Sequence, residues 1–196
     1  MEIIARAYEY LRPGGPVMIP LILTSLWMWA LIVERVVYFR QMERDDINMK
    51  DAVEIIEGRR VSEAYSGLRT RVVTGFLLER TGDKKLDRSI LHLSAMQERP
   101  HIRRSLSVIA VLAAVAPLFG LLGTVTGMIT TFNVIALFGT GNAKAMAGGI
   151  SEALITTQSG LLVAIPGLFM SAFLIRRAHF LESRLDELVM TLKRHI

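Results

Sequence analysis

The chain has no cysteine. Disulfides, thiolate metal sites and cysteine nucleophiles are excluded outright. Its four histidines, His92, His101, His179 and His195, are scattered without ligand spacing, so no metal is expected. No nucleophile, base and metal set is visible, which makes an enzyme the least supported class, and no cofactor is expected. Aromatics are only 7% of the 196 residues, with no aromatic platform among the basic residues of the kind nucleic-acid binding would favour. Charge itself is missing over long stretches. Ser105 to Ala143 is uncharged for 39 residues, about twice what one crossing of a ~30 Å hydrocarbon core needs.

What is present is apolar. Hydrophobic residues make up 52% of the chain and the mean hydropathy is +0.41, which points to a membrane protein. The net charge of +5 is no argument for nucleic acid. The 15 Lys/Arg between Glu34 and Arg104 are interleaved with 12 Asp/Glu, and positive loops are what a membrane topology requires.

Along the chain, Ile3, Ile4, Ala7, Tyr8 and Leu11 form one helical stripe, with Glu2, Arg6 and Glu9 off it. This predicts an amphipathic helix over 1–15, in the membrane interface or against another subunit, ended by Pro13-Gly14-Gly15-Pro16. The first residues lack the basic start and apolar core of a cleavable signal, so they are expected to remain on the mature protein. Val17 to Val33 is uncharged and predicts a first transmembrane helix over 16–39. The charged segment 40–104 has helical spacing, with Gly58, Gly67 and Gly82 as breaks. Second and third spans are expected over 105–138 and 143–175, joined by the turn residues of Leu137–Asn142. Both exceed the bilayer and are expected to extend into the cytoplasm. An amphipathic helix follows over 176–196. The fold class is an all-α membrane protein with three transmembrane helices. Lys/Arg number 15 in the large loop and five in the tail, but two in the N-terminal segment and one, Lys144, at the hairpin turn. The positive-inside rule then puts loop and C-terminus in the cytoplasm, with N-terminus and turn outside.

Two stretches carry the chemistry. "APLFGLLGTVTGMITTF" (Ala116–Phe132) is dense in small residues. Gly123 and Gly127 form a small-xxx-small pair for close helix packing, answered by Gly160 in the third span. The threonines read two ways: as polar groups of an ion path, or as hydroxyls bonded to carbonyls one turn back. "GGISEALITTQSGLLVAIPGLF" (Gly148–Phe169) holds one ionisable residue, Glu152. A carboxylate in lipid costs several kcal/mol unless paired, protonated or facing water. Glu152 is therefore either a solvated rim group or an interior group with a task. A hairpin folded about Thr140-Gly141 puts Thr124 and Thr157 at one depth, with Glu152 about 7.5 Å nearer the turn.

These two motifs, in this order and at this separation, resemble the signature of the MotA/TolQ/ExbB proton channel family, and the three-span layout is similar to its ExbB and TolQ types. The resemblance implies an inner-membrane helical subunit assembled as a homopentamer around an ExbD-like single-span partner, energising a TonB-like protein through proton flow. It places the family's membrane glutamate at Glu152 and its polar threonines at Thr124 and Thr157. Many members have tryptophan where this chain has Thr126, and Gln158 adds a polar group beside Thr157, which leaves Na⁺ open as the coupling ion. A TolQ-like role with TolR- and TolA-like partners, and a passive scaffold in which Glu152 pairs with a cation, are the alternatives.

The topology is directly testable because the chain supplies no background thiol. In intact spheroplasts, Gly82→Cys should resist an impermeant thiol reagent and Gly141→Cys should react. Labelling at position 82 would reverse the assigned orientation.

Overall fold

The structure is a computed structural model describing residues 14–44, 46–58 and 67–195. The amphipathic helix expected over 1–15 falls, for residues 1–13, outside the described residues. The described residues form six α-helices: α1 (Met18–Arg44), α2 (Met49–Ile56), α3 (Leu68–Glu79), α4 (Lys84–Arg103), α5 (Leu106–Phe138) and α6 (Ala143–Leu192). No strand occurs among them. Three of the helices carry windows long and apolar enough to cross a membrane, those within Met18–Arg44, Lys84–Phe138 and Ala143–Leu192. The chain divides into two units, Met1–Ile32 with Val108–Ala172, and Val33–Ser107 with Phe173–Ile196.

The first unit is a three-helix core. Met18 and Leu21 of α1 meet Ala116 of α5 and Ala164 of α6, with Phe119 and Val163 packed alongside. α5 and α6 are joined by one 3-10 turn, Gly139–Gly141. Gly139 has φ +69°, with open space where a side chain would stand. The glycine here serves the backbone reversal and not a contact.

The second unit is built differently. Leu174, Ala178, Leu181, Leu185, Leu188 and Leu192 of α6 are all buried. Their 4-3-4-3-4 spacing makes one apolar seam; Arg176, Asp186 and Glu187 between them are exposed, while Glu182 is buried. Past the apolar stretch that ends at 175, α6 continues as one helix to Leu192. Arg176 and Arg177 are good helix formers, and nothing after Pro166 interrupts the helix. Ion pairs fix the register. Arg103 grips Glu182 with two bonds of 2.5 and 2.8 Å, and Arg99 reaches Asp186 at 2.5 Å one turn along each helix. Arg177 pairs with Glu43.

Glycine breaks separate the short helices. Gly58 (φ +76°) follows α2 and Gly82 (φ +89°) precedes α4, while Gly67 is the N-cap of α3. The step from α4 to α5 uses no glycine: Ser105 has φ +61°, a conformation costing roughly 1–2 kcal/mol for an L-residue. Ending α4 there leaves its last carbonyls without helical donors. Arg35 answers one of them. Its guanidinium, 2% exposed, donates to the His101 carbonyl at 2.9 Å and to Glu34 at 2.7 Å, and lies over the Tyr38 ring.

Asp87 closes the α3–α4 turn. Its carboxylate accepts from the Thr81 N–H (2.8 Å), the Thr81 hydroxyl (3.0 Å) and the Gly82 N–H. The Thr81 N–H, chiefly, holds Asp87 below the usual carboxylate range. A depressed folded-state pKa stabilises above the unfolded value and ceases to do so as pH falls through the folded one. Asp87→Asn should therefore lower the thermal transition at pH 7. The gap to wild type should close as pH drops below about 4, the ordinary aspartate range.

Candidate functional site in the first unit

The site is organised by the seam between α5 and α6. A Cβ built on Gly127 would lie 2.7 Å from the Gly149 carbonyl oxygen and 2.8 Å from the Ala153 nitrogen. On Gly160 it would lie 2.8 Å from the Ala116 carbonyl oxygen and 3.1 Å from Gly120 Cα. On Gly123 it would overlap the Thr156 side chain. Real side chains do not come so close to backbone, so Gly127 and Gly160 hold the two helices at backbone contact, while Gly123 leaves room for Thr156. Gly123, Gly127 and Gly160 thus each face the other arm of their own hairpin. Gly149 repeats the pattern against Thr131, and Gly167 against Ala113 and Met28.

The hydroxyls serve the same seam. Thr156 is fully buried and donates to the Glu152 and Ala153 carbonyls, each at 3.0 Å. Thr131 donates to Gly127, Thr126 to Gly123, and Thr124 to Leu121 at 2.6 Å. Thr157 differs: it shares its hydroxyl, at 3.2 Å each, between Ala153 on its own helix and Gly120 on α5. Opposed pairs such as Gly127 with Ala153 and Gly123 with Thr156 put Thr157 level with Thr124. Their hydroxyls nonetheless go to different carbonyls.

Glu152 lies on another face of α6. Ala153, Thr156 and Gly160 turn to α5, whereas Glu152 turns to the start of α1, where its carboxyl lies against Gly15. Ser159, seven residues on, lines a cavity of about 240 Å³ between α1 and α6, with Ser25, Met18, Leu21 and Leu162. Glu152 is partly buried. It stands nine residues into α6, about 14 Å from its start, so it is set back from the hairpin tip while level with the beginning of α1. Between Lys144 and Arg176 it is the one ionisable side chain.

Sequence reasoning placed Glu152, Thr124 and Thr157 on the hairpin, with Thr156 one turn from Glu152, but missed Gly15. Gly15 was read as a helix terminator, and only its nearness in space reveals a second use.

Residues 61–187 match the MotA/TolQ/ExbB proton channel family. The chain belongs to this family. Similar proteins include an ExbB-like biopolymer transport protein of Synechocystis sp., 35% identical over 182 residues covering 85% of this chain and 69% of that one. The ExbB of Salmonella typhimurium is 30% identical over 76% of this chain and 68% of its own. That of Neisseria meningitidis is 29% identical over 88% and 89%. The matched stretch of this MotA/TolQ/ExbB family member contains the whole α5/α6 seam and Glu152.

Because the seam is backbone against backbone, it cannot accept a methyl group by side-chain rotation. Gly127→Ala and Gly160→Ala should each cost about 1–3 kcal/mol by overpacking. Thermal unfolding of the purified protein in mild detergent measures this, and Gly148→Ala, where the added Cβ meets open space, is the silent control.

Proposed function

We propose that this chain is the proton-conducting subunit of an inner-membrane, ExbB–ExbD-type motor. In this reading several copies, five by family expectation, surround an ExbD-like single-span partner. Proton flow through the assembly energises a TonB-like protein for import across the outer membrane. The observation that carries the reading is Glu152: a single carboxyl in an otherwise uncharged stretch of α6, in a member of a proton channel family.

The division of labour follows from the chemistry available. The uncharged runs 17–33 and 105–143 hold no carboxylate, and the third span holds only Glu152, so the complementary carboxylate comes from the partner's helix. Glu152 binds and releases the proton. Thr124 and Thr157 present oxygen lone pairs along the path, through which water can reach the carboxyl without an added charge. One proton crossing ~100 mV delivers about 2.3 kcal/mol, enough to bias a rotation or tilt of inner helices over successive steps. The hairpin seam supplies the rigid wall against which such a movement acts, and the charged loop and tail lie in the cytoplasm.

The test is substitution at Glu152 with assembly monitored in parallel. Glu152→Gln keeps shape and hydrogen bonding but cannot release a proton. Import-dependent growth should fall to the level of a strain lacking the protein, while the complex with its single-span partner still purifies intact. Glu152→Asp should retain partial activity. Thr124→Ala and Thr157→Ala should cost less than Glu152→Gln, since water can replace a hydroxyl. Full import by a well-assembled Glu152→Gln protein would overturn the relay reading.

A further inference from the structure

A relay carboxyl must be held as well as present. Proton transfer requires heavy atoms within about 3 Å, and a glutamate side chain has three rotatable bonds over which to wander. In this structure that side chain is laid along one residue. A Cβ built on Gly15 would overlap Glu152 Oε1 and lie 2.7 Å from Cδ and 3.3 Å from Cγ. Three side-chain atoms in a row are thus in contact with the space a larger residue would fill.

Gly15 is itself fixed. It has φ +66°, where glycine is favoured, and its carbonyl accepts the Met18 N–H at 3.2 Å, the first bond leading into α1. Pro16 follows, with its φ locked by the ring. The carboxyl therefore rests beside the turn that leads into α1, whose N–H groups at Met18, Ile19 and Leu21 are already bonded to the Gly15, Pro16 and Val17 carbonyls. Gly14, one residue earlier, is unlike this: a Cβ there meets first the flexible Met18 side chain.

We propose that Gly15 is a positioning residue for the Glu152 proton relay. Its bare backbone is the seat that fixes the carboxyl on the α1 side of α6. The inference rests on the relay reading of Glu152 and adds α1, otherwise only a membrane span, to the working parts of the site.

A double-mutant cycle on the complex purified with its single-span partner tests this. Gly15→Ala pushes the carboxyl off its seat and should cut proton flux into proteoliposomes by about tenfold to a hundredfold, the scale of a 1 Å misplacement. Glu152→Asp withdraws the carboxyl by one methylene, so in that background Gly15→Ala should cost less than about twofold. Gly139→Ala carries the same positive-φ strain in open space, and its effect should be unchanged by Glu152→Asp. Equal losses from Gly15→Ala in both backgrounds would overturn the seat. Should Gly15→Ala fail to assemble, the cycle is read in thermal stability with Glu152→Ala. Recovery of assembly supports the contact, and equal loss in both backgrounds refutes it. That stability coupling does not depend on proton transfer, so an active Glu152→Gln protein would refute the relay while leaving the contact measurable.

Discussion

The backbone contact between α5 and α6 is the constraint from which the rest of the first unit follows. In lipid, helices gain little from burying apolar side chains, and close packing together with backbone contacts must hold them together. Gly120 and Gly127 on one arm and Gly149 and Gly160 on the other bring main chain to main chain, and Gly123 makes room for the Thr156 side chain. Such a seam has one register, because a shift by one residue would drive a threonine or leucine into a facing carbonyl. That register decides what stands level with what: Thr157 near Thr124, and Glu152 well below the hairpin tip. It also decides which side of α6 remains for α1, and Glu152 lies on that side.

One helix thus carries two kinds of seam. From Gly149 to Gly167, α6 packs through small residues against α5. From Leu174 to Leu192 it packs through a leucine stripe, with Arg103–Glu182 and Arg99–Asp186 alongside. The change matches the solvent each stretch is suited to. Where water is present, leucine burial drives association and ion pairs choose the register. Where it is absent, steric fit does both. Arg35 shows the cost of the break between α4 and α5. Ser105 in a left-handed conformation leaves the His101 carbonyl without a helical donor, and a buried guanidinium supplies one.

Much of this was legible in the sequence, because it depends on local signals. The uncharged run from Ser105 to Ala143, the turn residues after Leu137 and the glycines at 58, 67 and 82 each mark a feature that depends on short-range chemistry. The amphipathic pattern past Arg176 was also local, since a pair of arginines ends an apolar run without ending a helix. Pairwise contacts were not readable at all. Nothing local in "RPGGPV" says that Gly15 will face Glu152, which is more than a hundred residues away. The side of α6 that turns to α1 depends on packing among three helices, so even a correct list of polar residues left their partners open.

Hydrogen bonding sets the threonines apart from Glu152. A hydroxyl has one proton to donate. Thr124, Thr126, Thr131 and Thr156 give theirs to carbonyls on their own helices, and Thr157 divides its own between two. Each retains lone pairs that can accept from water, but none can pass a proton onward without first breaking its bond to a carbonyl, which for Thr157 includes the bond across to α5. Glu152 differs in kind. Its backbone carbonyl accepts from Thr156, while its carboxyl is turned away from that seam toward Gly15. A change in protonation there alters a charge at the α1 face without unpicking the α5–α6 contact. The proposed relay requires such a separation: the group proposed to cycle is not one of the groups that hold the fold.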